Sequence, residues 1–280
     1  MKIKKHLLAA SIALVVSIPA KSFATIIAGI EIPGGGFLDI GTIYEGSKAS
    51  DGTAPILAVG DELVGVGKVD AIKTAGGTTV WSDGDNGREL LLYFDGYKTQ
   101  AINPLGAPTP INILFSGGAA HFYSGAAGGF TPTGSFAADS AFIAASGPLW
   151  MDTIGGTTRT CVAADACTDG VGTAVTLESF ILSGTLGAVG TGTGSGFLDV
   201  TGAGLADPIL DTNNQPLGGP HDITLTSSFT SQTSTAGYAA SGSLDLRGSA
   251  IPEPASLSLI GLGLLGAGFS ARKKRAKASA

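Results

Sequence analysis

Cys161 and Cys167 stand six residues apart in a stretch flanked by Asp and Gly, and they are the chain's two cysteines. In an oxidising compartment, two thiols at that separation close one small disulfide loop. On the chain-entropy model such a loop contributes about 2 kcal/mol, so it pins a loop rather than holding a domain together. Metal chemistry fits poorly, because no second Cys pair or clustered His accompanies them. A redox C-x-x-C motif is absent as well. The expectation is a disulfide, with no metal and no cofactor.

Imidazoles are the next candidates for chemistry. Beyond the first 24 residues the chain holds His121 and His221. His121 alternates with Phe122 and Tyr123 and reads as a structural residue on a strand, whereas His221, between Gly218-Gly219-Pro220 and Asp222, reads as an exposed loop residue. The sequence contains no G-x-S-x-G, H-E-x-x-H or Walker pattern. A Ser-His-Asp set assembled from distant loops is recognised by geometry rather than by order. No catalytic residue is therefore assigned.

Oxygen-rich loops raise the question of calcium. Asp83-Gly84-Asp85-Asn86-Gly87 starts like an EF-hand loop, but it puts Gly fifth rather than sixth and Phe94 where a bidentate Glu is needed. A turn whose Asp and Asn side chains bond their own backbone is the better reading. Asp207, Asp211 and Asn213 are a looser oxygen set with no ligand pattern.

The two ends of the chain carry a different kind of signal. Lys2, Lys4 and Lys5 precede an apolar stretch from Leu7 to Ile18 that breaks at Pro19, and Ser22-Phe23-Ala24 offers small residues for cleavage. That is the form of a secretory signal peptide, residues 1–24, cut after Ala24. At the other end, residues 251–280 hold Pro252-Glu253-Pro254, an apolar run, and five cations, Arg272, Lys273, Lys274, Arg275 and Lys277. As a helix, the run from Ala255 to Phe269 spans roughly 22 Å, short of a hydrocarbon core of roughly 30 Å. Snorkelling Arg272 and Lys273 extend it, giving one short transmembrane helix over 255–271. The basic tail, 272–280, stays cytoplasmic by the positive-inside rule, which puts the triplet on the outer face. Prolines at 252 and 254 keep that triplet extended, a shape that a processing enzyme can grip.

Charge separates these ends from the middle. Four of the 16 Lys and Arg residues lie in the first 21 positions and five lie in the basic tail, leaving seven among all 22 Asp and Glu residues. The interval between the signals is thus strongly acidic, a balance that disfavours nucleic acid.

Pro252-Glu253-Pro254-Ala255-Ser256, a Gly/Leu-rich apolar segment and a basic end, in that order at the C-terminus, resemble the PEP-CTERM sorting signal. The likeness covers about 30 residues. It implies recognition by an exosortase, a membrane-embedded cysteine transpeptidase-like enzyme, after export by Sec-type machinery. Cleavage near the triplet would follow transient inner-membrane anchoring. It would release the protein to the surface or extracellular matrix of a Gram-negative bacterium. Gly261-Leu262-Gly263-Leu264-Leu265-Gly266 inside this tail satisfies G-x-G-x-x-G, yet no βαβ unit surrounds it, so it is not a nucleotide site.

The elements that must position any site lie in residues 25–250. Glycine totals 44 residues, roughly double the usual 7%. Ile111, Ile113 and Phe115 alternate with polar residues, and Ile223, Leu225 and Phe229 alternate with Thr224, Thr226, Ser228 and Thr230. Leu90-Leu92-Phe94, Val175-Leu177-Ser179-Ile181 and Leu244-Leu246 repeat the pattern. These are strands with one wet, Thr/Ser-coated face. Roughly ten such strands separated by Gly-rich turns predict a mainly β domain, a β-sandwich or jelly-roll-like fold. Gly36-Phe37-Leu38-Asp39-Ile40 returns as Gly196-Phe197-Leu198-Asp199-Val200, which reads as two similar strand starts. Gly134 to Ala145 fits a short amphipathic helix or a non-helical segment equally well.

The expected function is that of an exported, non-catalytic surface or matrix protein, involved in biofilm, flocculation or exopolysaccharide organisation. That expectation follows from the sorting resemblance rather than from a residue in the middle. Its expected partners are the exosortase-type enzyme, the export machinery and extracellular polysaccharide. The rival reading is a secreted glycan-active or other hydrolytic enzyme using the same export route.

Overall fold

The computed structural model describes residues 24–105, 110–184, 186–187, 190–213, 220–231 and 236–251, with 36–40 described by backbone alone. Residues 1–23 of the expected signal peptide lie outside the described residues. So do Pro252, Glu253, Pro254, the run 255–271 and the cluster Arg272, Lys273, Lys274, Arg275 and Lys277. No helix among the described residues is long and apolar enough to cross a membrane. In chain order the elements are β1 (Thr25–Ile27), β2 (Ile30–Ile32), β3 (Gly35–Ser47), β4 (Glu62–Thr74), β5 (Thr79–Ser82), β6 (Arg88–Pro104), β7 (Ile111–Ala126), α1 (Phe136–Ser146), β8 (Leu149–Gly156), β9 (Arg159–Thr160), β10 (Ala174–Val175), β11 (Leu177–Ser183), β12 (Gly190–Val200), α2 (Asp207–Leu210), β13 (Ile223–Ser231) and β14 (Ala240–Ala250).

The period-two pattern produces these strands as expected, with apolar residues on one face and hydroxyls on the other. It does not produce a sandwich. Eight strands close into one antiparallel ring, β11-β12-β13-β14-β3-β4-β6-β7, and β7 pairs back onto β11. The stave between β7 and β12 is shared. β11 occupies one half, and β8 pairs with Ala119–Tyr123 of β7 and Phe197–Val200 of β12 in the other. Alternation cannot distinguish a barrel from a sandwich, because both bury one face of every strand. Bulges decide the outcome here. Register shifts at Ile40/Gly41, Leu63/Gly65 and Thr99/Ala101 bend the long strands, and a bulge increases local twist. Gly118, at φ 87°, lies under the Tyr97 ring so closely that a Cβ would sit 2.3 Å from it.

One end of the barrel is plugged. The β1–β2 hairpin buries Ile30 and Ile32 in the same core as Trp81, Leu90 and Trp150. The Trp150 indole donates to the Ile27 carbonyl at 3.1 Å. α2 sits at this end too, where Ile251 N–H donates to the Ile209 carbonyl at 2.7 Å. Outside the ring, α1 lays Phe136 and Ile143 over Val64, Val66 and Leu91, each such side chain contributing about 1.5–3 kcal/mol by burial.

Helix wins over Gly134–Ala145 because its start is capped twice. Ser135 Oγ accepts from Ala138 N–H at 3.2 Å, and Asp51 reaches in from the β3–β4 loop to accept from Ser135 Oγ at 2.6 Å and Ala137 N–H at 2.8 Å. The recurring pentapeptide does not mark two strand starts. Residues 36–40 open β3, whereas Gly196–Val200 close β12.

Candidate functional site

The inward positions of the barrel wall are unusually empty. In β12 the side that faces inward reads Gly190, Gly192, Gly194 and Gly196, all buried, while Thr191, Thr193 and Ser195 face water. β4 repeats this with buried Gly65 and Gly67 between Leu63 and Val69. Neighbouring side chains fill part of the vacated space. A Cβ on Gly192 would lie 2.2 Å from Phe229 Cζ, and one on Gly65 would lie 2.3 Å from Phe94 Cζ. The remainder is a lumen of two chambers, about 80 Å³ and about 40 Å³.

Glu45 borders both chambers, with Leu63, Leu177 and Ser227. It lies on β3 two residues after the buried Ile43, so the pleat turns its side chain inward. Its carboxyl has no hydrogen-bond or ion-pair partner among the described residues, and it is the one charged side chain among those bordering either chamber. Glu45 is half-buried, and desolvation by the surrounding wall disfavours the carboxylate and pushes its pKa up to about 7. Around neutrality the group is therefore divided between an acid that donates a hydrogen bond and an anion that lacks a counter-charge. Ser179 and Ser227 add hydroxyls to the outer chamber, and Tyr97 lines the deeper one, its hydroxyl pushed up by burial.

The lumen opens toward the end opposite the plug. Pro55 and Ile56 of the β3–β4 loop and Leu186 and Gly187 of the β11–β12 connection border its mouth. Gly187 has φ 81°, and a Cβ there would lie 2.6 Å from Leu57 Cδ2, so the two loops meet over the opening. Leu57, 54% exposed, stands beside Gly187 at this opening, next to the apolar Pro55, Ile56 and Leu186.

The disulfide Cys161–Cys167 is present. Cys161 is buried with Ala101, Leu114 and Val175 on the outer face of β6 and β7. Asp165 is near both sulfurs, but the sulfurs are bonded to each other and Asp165 is gripped by Arg159, so these three residues do not form a metal centre. The Arg159 guanidinium holds Asp165 below the usual carboxylate range.

His121 sits in β7 as expected, with Nδ1 on Asp152 and its ring beside Tyr93. His221 lies in the loop before β13, as expected, but it is half-buried rather than exposed. Its Nδ1 faces Asp199 Oδ1 at 2.8 Å, its Nε2 faces the Thr157 carbonyl at 3.0 Å, and its ring stacks on Phe197. Asp83 pairs with Lys68 at 2.6 Å, and Asp85 accepts from Ser82 N–H, as a turn requires. Asp207 is fully buried and accepts from Gly204 N–H at 2.7 Å, while Asp211 bonds the Asn213 side chain at 3.0 Å. Those three form no shared oxygen site.

Glu45 was not among the residues that the sequence singled out. Its signal was the spacing Ile43-x-Glu45 within a strand, joined to the Gly-x-Gly-x-Gly-x-Gly row of β12 that clears room for it.

Gly35 pairs with Ala250 at the plugged end, and Glu45 pairs with Ala240 near the mouth. At about 3.3 Å per residue the eleven residues of β14 extend roughly 33 Å between them. The chain thus forms a closed β-barrel from whose plugged end a C-terminal tail departs. Residues 250–275 match the family model of the PEP-CTERM protein-sorting motif, so this is an exported protein that carries the recognition signal of exosortase and is processed at the membrane. No curated protein and no solved structure matches the chain.

Proposed function

We propose that the protein is a non-catalytic component of the cell surface or extracellular matrix that contributes to biofilm, flocculation or exopolysaccharide organisation. The observation that carries this reading is the sorting motif beginning on Ala250, the last residue of the barrel wall. The outer wall suits a polysaccharide partner. Thr193, Ser228, Ser243 and Thr42 are successive register partners across four strands, and Ser228 and Ser243 hydroxyls lie 2.8 Å apart. Such a row offers donors and acceptors that can exchange with sugar hydroxyls.

The test compares a strain lacking the protein with its complemented parent, reading attached biomass and cell-bound exopolysaccharide. Loss on deletion and recovery on complementation are expected, and equal values in both strains would overturn the reading. The hydrolase reading has one observation in its favour, the His121–Asp152 pair on the outer wall. Release of reducing ends from extracted exopolysaccharide by the purified protein, abolished by His121→Ala, would replace the proposal with that reading.

A further inference from the structure

A carboxyl inside an apolar barrel is costly unless something there makes use of it. Charged groups taken from water need a partner, and Glu45 has none among the described residues. The space around it is bordered by Leu63, Phe115, Ile181 and Phe229, with the hydroxyls of Ser179 and Ser227 on the same chamber. It reaches the surface between two loops whose rim is apolar. An apolar wall and one anionic group on the mouth side, between the two chambers, are complementary to a molecule with a hydrocarbon body and a single positive head.

We propose that the lumen binds a small primary amine, its ammonium group seated on Glu45 and its apolar body among Leu63, Phe115, Ile181 and Phe229. Size limits the ligand. A dry apolar cavity of about 150 Å³ admits benzene, so chambers of about 80 and 40 Å³ are too small for a ring and suit a chain of about four carbons. Anions are refused by the carboxylate. A neutral isostere gains the apolar contacts but leaves the charge without a counterion.

Ionisation sets when the site is competent. Among the described residues Glu45 is the one carboxylate or cation on the chamber walls, β3, β4, β6, β7, β11, β12, β13 and β14 included, and Tyr97 stays protonated throughout. With the carboxyl at about 7, capture requires its anion. Between about pH 8 and about pH 5.5 the ionised fraction falls about 30-fold, and affinity falls with it.

This proposal is independent of the matrix role, since it is read on the purified exported protein. Isothermal titration with n-butylamine should show binding at about pH 8 and an affinity about 30-fold weaker at about pH 5.5, with n-butanol weaker and insensitive to pH. Glu45→Gln should weaken n-butylamine at least tenfold at the higher pH and remove the pH dependence. In the wild-type protein the Glu45 carboxyl carbon resonance should shift on adding amine, a readout that needs no variant. Equal amine binding by wild type and Glu45→Gln would place the ligand elsewhere and overturn the proposal. No heat and no resonance shift at about 10 mM amine, a concentration at which even a millimolar site is filled, would show a lumen that holds only water.

Discussion

Gly192 of β12 and Phe229 of β13 are register partners, and the ring lies over the glycine in the space that a side chain would take. A Cβ on Gly192 would meet Phe229 Cζ at 2.2 Å and the Phe180 carbonyl oxygen at 2.6 Å, one of them backbone. On Gly194 the nearest atom is Ser227 Oγ at 2.6 Å, a hydroxyl free to rotate, and the next lies at 3.8 Å. Overpacking that displaces backbone costs about 1–3 kcal/mol. Gly192→Ala should therefore lower stability by about that amount, and Gly194→Ala by clearly less. Urea unfolding of the two variants measures the difference, and equal losses would contradict the close packing of Phe229.

Glu45 gives a second prediction, about pH. Its folded-state pKa, about 7, lies above the ordinary glutamate value near 4.5, so the folded form holds a proton that the unfolded chain has released. Stability attributable to this group is full below about pH 4.5 and declines as pH rises toward 7, by up to about 3 kcal/mol. Glu45→Gln should match the wild type near pH 4 and exceed it at pH 8. Melting curves at both pH values check the sign, and a variant less stable at pH 8 would show a carboxylate with a stabilising partner.

The Cys161–Cys167 bridge lies outside the ring over Ala101 and Leu114, so its loss should leave the barrel closed. A maleimide should label neither thiol before reduction. The Cys161→Ser/Cys167→Ser pair should cost about 2 kcal/mol while keeping the β signature in circular dichroism.

How legible was this molecule beforehand? Ile223, Leu225 and Phe229 alternate with hydroxyl residues and mark β13 without help, because a one-sided strand writes its burial into every second residue. Ring closure was not legible. It depends on β7 meeting β11, separated by the whole α1–β10 region, and no local spacing encodes that contact. The exposure of His221 misled for a similar reason, since Pro220 and the glycines before it mark a loop while Asp199 and Phe197, which hold the ring, lie far away in sequence on β12. Glu45 escaped because one inward Glu in a strand differs from a surface Glu only by phase. The sorting signal was readable in full because its triplet, apolar run and cations are consecutive.

The N-terminus of the exported form should be Thr25. Thr25 opens β1 and pairs with Ile32, so cleavage after Ala24 leaves the plugging hairpin whole. N-terminal sequencing of the exported protein reads this directly. A start inside β1 would remove backbone that Trp150 uses through the Ile27 carbonyl.

The tail can be tested by two changes that separate sorting from anchoring. Replacing Pro252, Glu253 and Pro254 with Ala removes the triplet but keeps the apolar run and the Arg272 to Lys277 cluster expected to hold the chain in the membrane. An intact precursor should accumulate in the inner membrane. A stop codon after Ile251 should act in the opposite sense, because Ala250 still pairs with Gly35 and Ile251 still donates to Ile209, so the barrel is complete while the membrane stop is gone. That variant should leave the inner membrane as soluble protein of mature size. Immunoblots of membrane and exterior fractions distinguish the cases, and a triplet variant with unchanged mass and location would reduce the tail to a plain anchor.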